Sequence, residues 1–248
     1  MSELGKKKGK INIGTCGFHV TKEKYAELLS CVEIQHTFYQ PPQIRTLERW
    51  RETVPNEFEF VVKAWQLITH EAKSPTYKRL KKKMTDAQRA EAGRFNSSEI
   101  VKEAWETTLA CASALNAKTI LFQCPASFTQ TEENITNLEK FFSSIKRGKL
   151  QLAWEPRGSW NAGLIKSICN DLKLWHAVDP FAGKTVTPDK CYFRLHGRNG
   201  WRYKYEENEL EELATMLPKS KNSYVFFNNI EMTEDALQFQ KIIQEINF

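Results

Sequence analysis

The feature that most constrains the fold is an alternation of short apolar segments with longer amphipathic ones along almost the whole chain. The short segments are apolar nearly throughout, which is typical of strands that are buried in a parallel sheet. The longer segments repeat apolar residues at helical spacing and predict helices that cross from one strand to the next. We expect eight strands, at residues 11–17, 32–39, 58–64, 118–124, 150–155, 174–179, 190–196 and 223–228.

Helices are predicted between most of these strands, so the fold class is α/β. Eight such units predict a single TIM-type (β/α)8 barrel, for which 248 residues is a usual length. Two connections depart from the pattern: a long, basic, helical insertion after strand three, and a helix-less connection at 181–189 between strands six and seven. We expect one domain over 11–248, preceded by a disordered basic tail at 1–10. The helices are predicted at 21–30, 44–53, 98–115, 131–145, 161–172, 206–217 and 233–246.

Composition places the chain among soluble globular proteins, with 41% hydrophobic and 27% charged residues. No apolar run approaches the roughly 20 residues that a membrane span needs, and no signal peptide is evident, so we expect a cytoplasmic protein without a membrane partner. Six cysteines without CxxC spacing indicate reduced, buried thiols. The net charge of +6 is local, because residues 71–94 hold eight Lys and Arg against three acidic residues.

Charged residues stand at the ends of two predicted strands. Strand five ends in Glu155, Pro156 and Arg157, and Arg194 and His196 interrupt strand seven. Polar side chains at the carboxyl ends of barrel strands line the functional face of such folds. The full set of polar residues at strand ends is Thr15, Glu33, Thr37, Lys63, His70, Gln123, Glu155, Arg157, Asp179, Arg194, His196, Asn228 and Asn229.

Three of these residues are candidates for proton transfer: Glu155, Asp179 and His196. The two carboxylates would form a general acid/base pair, and His196 would serve as a base. The structural alternative is that Glu155 pairs with Arg194 and that His196 is a hydrogen-bonded structural residue. A divalent metal on His70, Glu155, Asp179 and His196 is not favoured, because no HxH, HxxxH or HExxH spacing supports it. We expect no nucleotide cofactor, since the chain has no GxGxxG motif and no P-loop.

Basic side chains at strand ends suit an anionic ligand, because a guanidinium can hold a carboxylate or phosphate through two hydrogen bonds. Arg157, Arg194, Lys63 and Arg198 are the candidates, and the alternative is a set of ion pairs with nearby carboxylates. Trp65, Trp154, Trp160 and Trp201 form either a stacking wall for a base or sugar ring or part of the core. His36 and His176 are expected to lie within strands and to pack or form hydrogen bonds. The predicted substrate-binding residues are Lys63, His70, Gln123, Arg157, Arg194, Asn228 and Asn229.

The basic insertion at 71–94 has two interpretations. It either contacts the phosphates of a nucleic acid, with Tyr77 and Phe95 nearby, or forms a solvated helix face. The candidate contact residues are Lys78, Arg79, Lys81, Lys82 and Lys83.

Seven short motifs follow one another along the chain: GTCG at 14–17, VEIQHTFY at 32–39, VKAWQLITH at 62–70, QCPASF at 123–128, WEPRGSW at 154–160, YFRLHG at 192–197 and FFNN at 226–229. Together they resemble the YecE-like family, which is catalogued as domain of unknown function 72. The resemblance covers roughly 11–245 and implies a barrel fold, but it brings no established activity with it.

These observations lead to two functional hypotheses. The first is an enzyme that acts on an anionic small molecule, bearing a phosphate or carboxylate, by general acid/base chemistry at the carboxyl end of the barrel. Hydrolysis is slightly favoured over isomerisation or elimination. The alternative is a nucleic-acid-binding barrel that uses the basic insertion, with or without phosphodiester chemistry. The sequence leaves the oligomeric state open.

Overall fold

The computed structural model describes residues 10–218 and 222–246, so the tail predicted over 1–10 lies outside the described residues except for Lys10. The predicted barrel is confirmed: eight parallel strands close into a barrel in chain order. The strands are β1 (Ile11–Thr15), β2 (Cys31–Ile34), β3 (Glu59–Lys63), β4 (Thr119–Gln123), β5 (Gln151–Glu155), β6 (Trp175–Val178), β7 (Tyr192–Leu195) and β8 (Ser223–Phe227).

Helices follow most of the strands, as predicted. Within the described ranges they are α1 (Lys22–Leu28), α2 (His36–Tyr39), α3 (Ile44–Glu52), α4 (Gln66–Thr69), α5 (Asp86–Glu91), α6 (Glu99–Ala114), α7 (Glu132–Ser144), α8 (Ala162–Asp171), α9 (Glu207–Thr215) and α10 (Met232–Glu245), with a 3₁₀ helix at Pro75–Arg79 between α4 and α5.

The second strand is shorter than predicted. It was expected to run to residue 39, but β2 ends at Ile34 and α2 begins at His36. The Thr37 hydroxyl donates a shared hydrogen bond to the carbonyl oxygens of Lys63 (2.7 Å) and Ile34 (3.1 Å). Such side-chain bonds to the backbone compete with strand pairing and favour a turn. The prediction that His36 lies within a strand is therefore wrong, because His36 lies on α2, where its ring contacts that of Trp50.

The chain forms two compact units. The central unit comprises Glu33–Trp175, and the terminal unit comprises, among the described residues, 10–32, 176–218 and 222–246. In the central unit, Phe95 packs against four other rings at centroid distances of 5.3–6.2 Å. Aromatic pairs at such distances stabilise a core by about 0.5–1.5 kcal/mol each beyond the area that they bury. The four partners of Phe95 are Phe122, Phe128, Phe141 and Phe142.

In the terminal unit, β1 pairs with β8 over all five of its residues. The buried Tyr25 hydroxyl accepts from the backbone N–H of Thr15 (2.9 Å) and donates to the carbonyl of Cys31 (3.0 Å). Gly14 is required beside it, because a Cβ atom at this position would lie 2.2 Å from the carbonyl oxygen of Cys31. The pairing of β1 with β2 thus leaves no room for a side chain at residue 14.

The predicted helical insertion after strand three is confirmed and is anchored at both ends. The Tyr77 hydroxyl donates to the His70 carbonyl (2.7 Å), and the Gly93 N–H donates to the Leu67 carbonyl (2.8 Å). Gly93 has a φ of +85° and lies where a Cβ atom would be 2.4 Å from the His70 backbone. Between these points, Thr85 and Gln88 form a capping box at the start of α5.

The connection between β6 and β7 contains no helix, as predicted. The Asp179 carbonyl accepts from the N–H groups of Ala182 and Gly183 (3.0 Å each). His176 lies within β6, is buried, and its Nδ1 accepts from the Val186 N–H (3.2 Å). The interpretation of His176 as a packed, hydrogen-bonded residue is confirmed.

All six cysteines are buried and are free thiols rather than disulfides, as expected. Burial raises the pKa of the Cys111 thiol to about 11, and that of Cys191 to about 11 with a smaller contribution from Asp189. Within residues 10–218 and 222–246, no helix has both the length and the apolar character that crossing a membrane would need.

Candidate functional site

In the terminal unit, Arg194 and His196 lie together at the carboxyl end of β7. Arg194 is completely buried, and its Nη1 lies 3.4 Å from Nε2 of His196. Its Nη2 donates to the Cys16 sulfur at 3.6 Å. A guanidinium has only donors, so the contact with Nε2 uses the lone pair of that nitrogen.

The His196 ring is held from its other side as well. The amide group of Asn228, the residue after β8, lies 3.0 Å from Nδ1. The amide nitrogen of Asn228 is the atom that lies against Nδ1, and the donor and acceptor roles at the ring depend on its tautomer. The ring is partly exposed, so a small molecule can reach it. Arg194 on β7 and Asn228 after β8 therefore hold the orientation of an accessible imidazole.

Asp179, at the end of β6, is engaged by the backbone. Its Oδ2 accepts from the His196 N–H (3.0 Å), and its Oδ1 accepts from the Phe181 N–H (3.1 Å). A carboxylate that accepts two backbone hydrogen bonds fixes the backbone segments that donate them. The structure thus gives Asp179 a positioning role toward His196, while its predicted part in proton transfer stays a prediction.

Arg198 and Asn229 both interact with neighbouring side chains in the terminal unit. Arg198 stacks 4.3 Å from the Phe181 ring centroid and forms an ion pair of 3.2 Å with the buried Glu209. Asn229 is buried and donates to Asp235 Oδ2 at 2.6 Å. Burial, as the largest effect, raises the pKa of Asp235, while the bond from Asn229 opposes the rise. These contacts support the loops that carry the site, while the predicted part of Arg198 and Asn229 in ligand binding stays a prediction.

In the central unit, Lys63 is buried at the end of β3, at 5% exposure. Its Nζ donates to the side-chain carbonyl of Gln35 (3.2 Å) and lies 4.2 Å from the Phe38 ring centroid. The amide nitrogen of Gln35 in turn donates to the buried Glu33. Gln35 was missed by the sequence analysis, because the sequence did not reveal that β2 ends immediately before it.

His70 lies in the same unit and is also buried. Its Nδ1 lies 2.8 Å from the Thr69 hydroxyl. Burial lowers the pKa of His70 to about 3, with further lowering by the positive charges of Lys63 and Arg157. The imidazole is therefore neutral at physiological pH, so any ligand there meets an uncharged ring beside two cations.

Glu155 ends β5, where it is 4% exposed and in register with Gln123 of β4. The Nε atom of Arg157 lies 3.8 Å from Glu155 Oε1, while 45% of the Arg157 side chain is exposed. This distance is too long for a hydrogen bond between Nε and Oε1, so these two atoms attract each other through charge alone. Arg157 retains donors that face solvent, and Glu155 is a carboxylate close to a cation.

Three of the four tryptophans considered for a stacking wall lie in the central unit. Trp65 and Trp154 are buried, at 4% and 0% exposure, and belong to the core. Trp160 is partly buried and packs against Trp154 at 5.2 Å. Trp201, in the terminal unit, is 58% exposed. The core interpretation is thus correct for Trp65 and Trp154, and Trp201 alone among the four offers a widely open ring.

The part of the chain that the structure describes contains no group of three or more His, Cys, Asp or Glu side chains arranged to hold a metal ion. The candidate groups are instead cationic side chains, two histidines and single carboxylates, a composition that suits anions better than cations.

Residues 21–247 match the family described as "Protein of unknown function DUF72". The chain belongs to this family. The curated UPF0759 protein YunF of Bacillus subtilis strain 168 is 26% identical over 243 residues, which cover 84% of this chain and 79% of YunF. A solved DUF72 structure from Enterococcus faecalis V583 is 22% identical, with a TM-score of 0.74 over 95% of this chain and 96% of that one. The predicted family resemblance is confirmed.

More distant structures share the barrel with this DUF72 chain. Endonuclease IV from Thermus thermophilus is 10% identical, with a TM-score of 0.50 over 95% of this chain and 99% of that one. At this identity the similarity shows the fold alone, since one barrel supports many unrelated chemistries.

Proposed function

We propose that this DUF72 protein is an enzyme that acts on an anionic substrate, bearing a phosphate or a carboxylate, by general acid/base chemistry at the carboxyl ends of its barrel strands. Active sites of TIM barrels lie at this end of the strands. Phosphate and carboxylate are the anions that guanidinium groups recognise best.

The observation that carries the proposal is the contact between the buried Arg194 guanidinium and an accessible His196 ring. A fixed positive charge beside an oriented imidazole can hold an anion next to a proton acceptor. Asn228 and Asp179 keep the ring and its backbone in place, so the geometry needs little adjustment on binding.

The central unit supports the proposal independently. Lys63 and Arg157 supply positive charge near a neutral His70, and Glu155 supplies a carboxylate at the end of β5. Lys63, Glu155 and Arg157 lie at or just beyond a strand end, and His70 follows α4. An anion would be attracted there, and the carboxylate could exchange a proton with a bound reactant.

Hydrolysis is the reaction class that we favour. In the terminal unit, the imidazole of His196 would take a proton from a water molecule as the water oxygen forms its bond to phosphorus or to a carbonyl carbon. The bond to the leaving oxygen then breaks, and the same proton returns to that oxygen. General acid/base assistance of this kind contributes about 10²–10⁴ in rate.

A paired assay tests the proposal. Thermal unfolding is followed with inorganic phosphate and with acetate, and hydrolysis is followed with p-nitrophenyl phosphate and bis(p-nitrophenyl) phosphate. A ligand at 100 times its Kd stabilises by about 2.7 kcal/mol, which corresponds to a rise in Tm of roughly 5–10 °C for a chain of this length. We expect His196→Gln to lower kcat about 10²–10⁴-fold.

The matched control is His19→Gln, which makes the same change at an exposed histidine in the loop after β1. It should leave both the stabilisation and the hydrolysis unchanged. If neither anion stabilises the wild type and neither ester is hydrolysed, or if the two histidine variants behave alike, the proposal is wrong.

A further inference from the structure

A second surface lies in the central unit, beside α2. A groove of about 540 Å³ follows the end of this helix, and we call it the α2 groove. Ligand sites in proteins usually enclose about 300–1,000 Å³, so the groove has room for one nucleotide. It is lined by His36, Tyr39, Gln40, Pro41, Pro42, Gln43, Arg79 and Lys81.

The groove is built by contacts between α2 and the basic insertion. The Gln40 side-chain carbonyl accepts from the backbone N–H groups of Lys81 (3.0 Å) and Lys82 (3.3 Å). The Arg79 guanidinium stacks 3.7 Å from the Tyr39 ring centroid. One side-chain amide and one stacked pair therefore fix the basic wall of the groove against its aromatic wall.

The basic wall carries positive charge that no protein carboxylate neutralises. Lys78, Arg79, Lys81 and Lys83 are exposed, and none of them forms an ion pair within residues 10–218 and 222–246. Lys82 differs, because its Nζ lies 2.7 Å from Glu103. No acidic residue lines the groove. Arg79 and Lys81 line the groove, and Lys78 and Lys83 lie within two residues of them in the chain. Such a run of exposed cations creates a potential that attracts a polyanion.

The opposite wall offers ring surfaces. His36 is exposed and meets the Trp50 ring edge to face at 5.7 Å, and Pro41 and Pro42 are partly exposed beside Tyr39. Proteins that bind single-stranded nucleic acids combine a positively charged groove, which follows the backbone, with rings on which unpaired bases stack. A duplex hides the faces of its bases, so this combination fits a single strand better.

We propose that the α2 groove binds single-stranded nucleic acid. The phosphates lie along Lys78, Arg79, Lys81 and Lys83, and a base packs against His36 and the neighbouring proline rings. The binding is independent of the proposed hydrolytic function, because it uses none of the residues assigned to that chemistry.

Fluorescence anisotropy with a labelled 12-nucleotide oligothymidine, at several salt concentrations, tests this assignment. The test variant reverses three charges: Lys78→Glu, Lys81→Glu and Lys83→Glu. We expect affinity to fall at least tenfold at low salt, because three phosphate contacts are lost. The slope of log K against log salt should become shallower by about 2, since each contact with a single strand contributes about 0.7.

The matched control reverses three exposed lysines elsewhere in the same unit: Lys118→Glu, Lys149→Glu and Lys166→Glu. This variant has the same net charge as the test variant, so it separates the groove from the overall field of the protein. It should bind the oligonucleotide as the wild type does. Equal loss in both triple variants would overturn the proposal.

A third variant probes stacking. His36→Ala should weaken binding about tenfold and leave the salt slope unchanged, because base stacking does not release counterions. A 12-base-pair duplex and vesicles containing phosphatidylserine serve as competing partners. If the duplex or the vesicles bind more tightly than the oligothymidine, or if His36→Ala binds like the wild type, the single-strand assignment is wrong.

Discussion

Two candidate histidines, His70 after α4 and His196 after β7, have very different surroundings, and this difference decides what each can do. His70 is buried beside a hydroxyl and two cations, and its pKa is lowered to about 3, so it stays neutral. His196 is partly exposed, with a guanidinium on one ring nitrogen and an amide on the other. His70 therefore stays neutral at physiological pH, whereas the His196 ring is accessible to a ligand.

The neutral state of His70 makes stability depend on pH. Its folded pKa of about 3 lies below the unfolded value of 6.5, so the unfolded chain binds more protons between these values. The contribution of His70 to the free energy of unfolding is therefore nearly constant above pH 6.5 and falls as the pH drops below that value. Between pH 7.5 and pH 5 we expect this residue alone to cost about 2 kcal/mol of unfolding free energy.

Urea unfolding of the wild type and of His70→Asn at the two pH values measures this effect. Between pH 7.5 and pH 5, the free energy of unfolding should fall by about 2 kcal/mol less in the variant than in the wild type. His19→Asn, at an exposed site, should keep the wild-type pH dependence. An equal loss in the wild type and His70→Asn would show that His70 is not held neutral.

Glu155 is the residue whose replacement bears most directly on proton transfer in the central unit. Glu155→Gln keeps the shape of the side chain and removes its ability to take a proton, so if the esters react in the central unit, their hydrolysis should fall about 10²–10⁴-fold. Circular dichroism should show the fold intact. Glu139→Gln, on the exposed face of α7, is the control and should keep full activity. Unchanged turnover in Glu155→Gln would exclude Glu155 as the acid or base.

At the scale of elements, the insertion after β3 decides where positive charge is placed. Its course is fixed by a few bonds: the Tyr77 hydroxyl to His70, the Gly93 backbone to Leu67, and the Gln40 side chain to Lys81. Between these points the segment has short helices and mostly exposed residues. The exposed lysines are therefore held by the few residues that attach the segment to the barrel.

Removal of one anchor should loosen the insertion without unfolding the barrel. Tyr77→Phe deletes the 2.7 Å hydrogen bond to the His70 carbonyl, and we expect a loss of about 1–2 kcal/mol. Trypsin should then cleave after Lys78 and Arg79 sooner than in the wild type. Tyr39→Phe is the control, because no hydrogen bond from the Tyr39 hydroxyl is present among the described residues. Identical cleavage rates in the wild type and Tyr77→Phe would contradict the anchoring role.

At the scale of the whole molecule, the barrel could be predicted because its evidence is distributed along the entire chain. Eight apolar strands and the intervening helical patterns each add to the same conclusion, so errors at single boundaries do not alter it. The end of β2 was missed because Thr37 bonds to the backbone of β3, a contact between residues 26 positions apart. No local pattern in 32–39 reveals such a contact.

The candidate residues could be predicted only in part for a related reason. Strand ends identified Arg194, His196 and Glu155, since charge in an apolar strand is visible in the sequence. The hydrogen-bond partners of the predicted residues were not visible in the sequence. The Asp179 carboxylate accepts from two backbone N–H groups, and the Asn229 amide donates to the buried Asp235. Hydrogen bonds of this kind depend on how the loops fold over the strand ends, which periodicity does not determine.

The most direct test of the central claim is a crystal structure of the protein grown with inorganic phosphate at the concentration that saturates its thermal stabilisation. We predict a phosphate ion within hydrogen-bonding distance of the Arg194 guanidinium and the His196 ring, or of Lys63 and Arg157. A structure in which phosphate binds only elsewhere, with all four of these side chains unliganded, would contradict the assignment of an anionic substrate to the carboxyl ends of the strands.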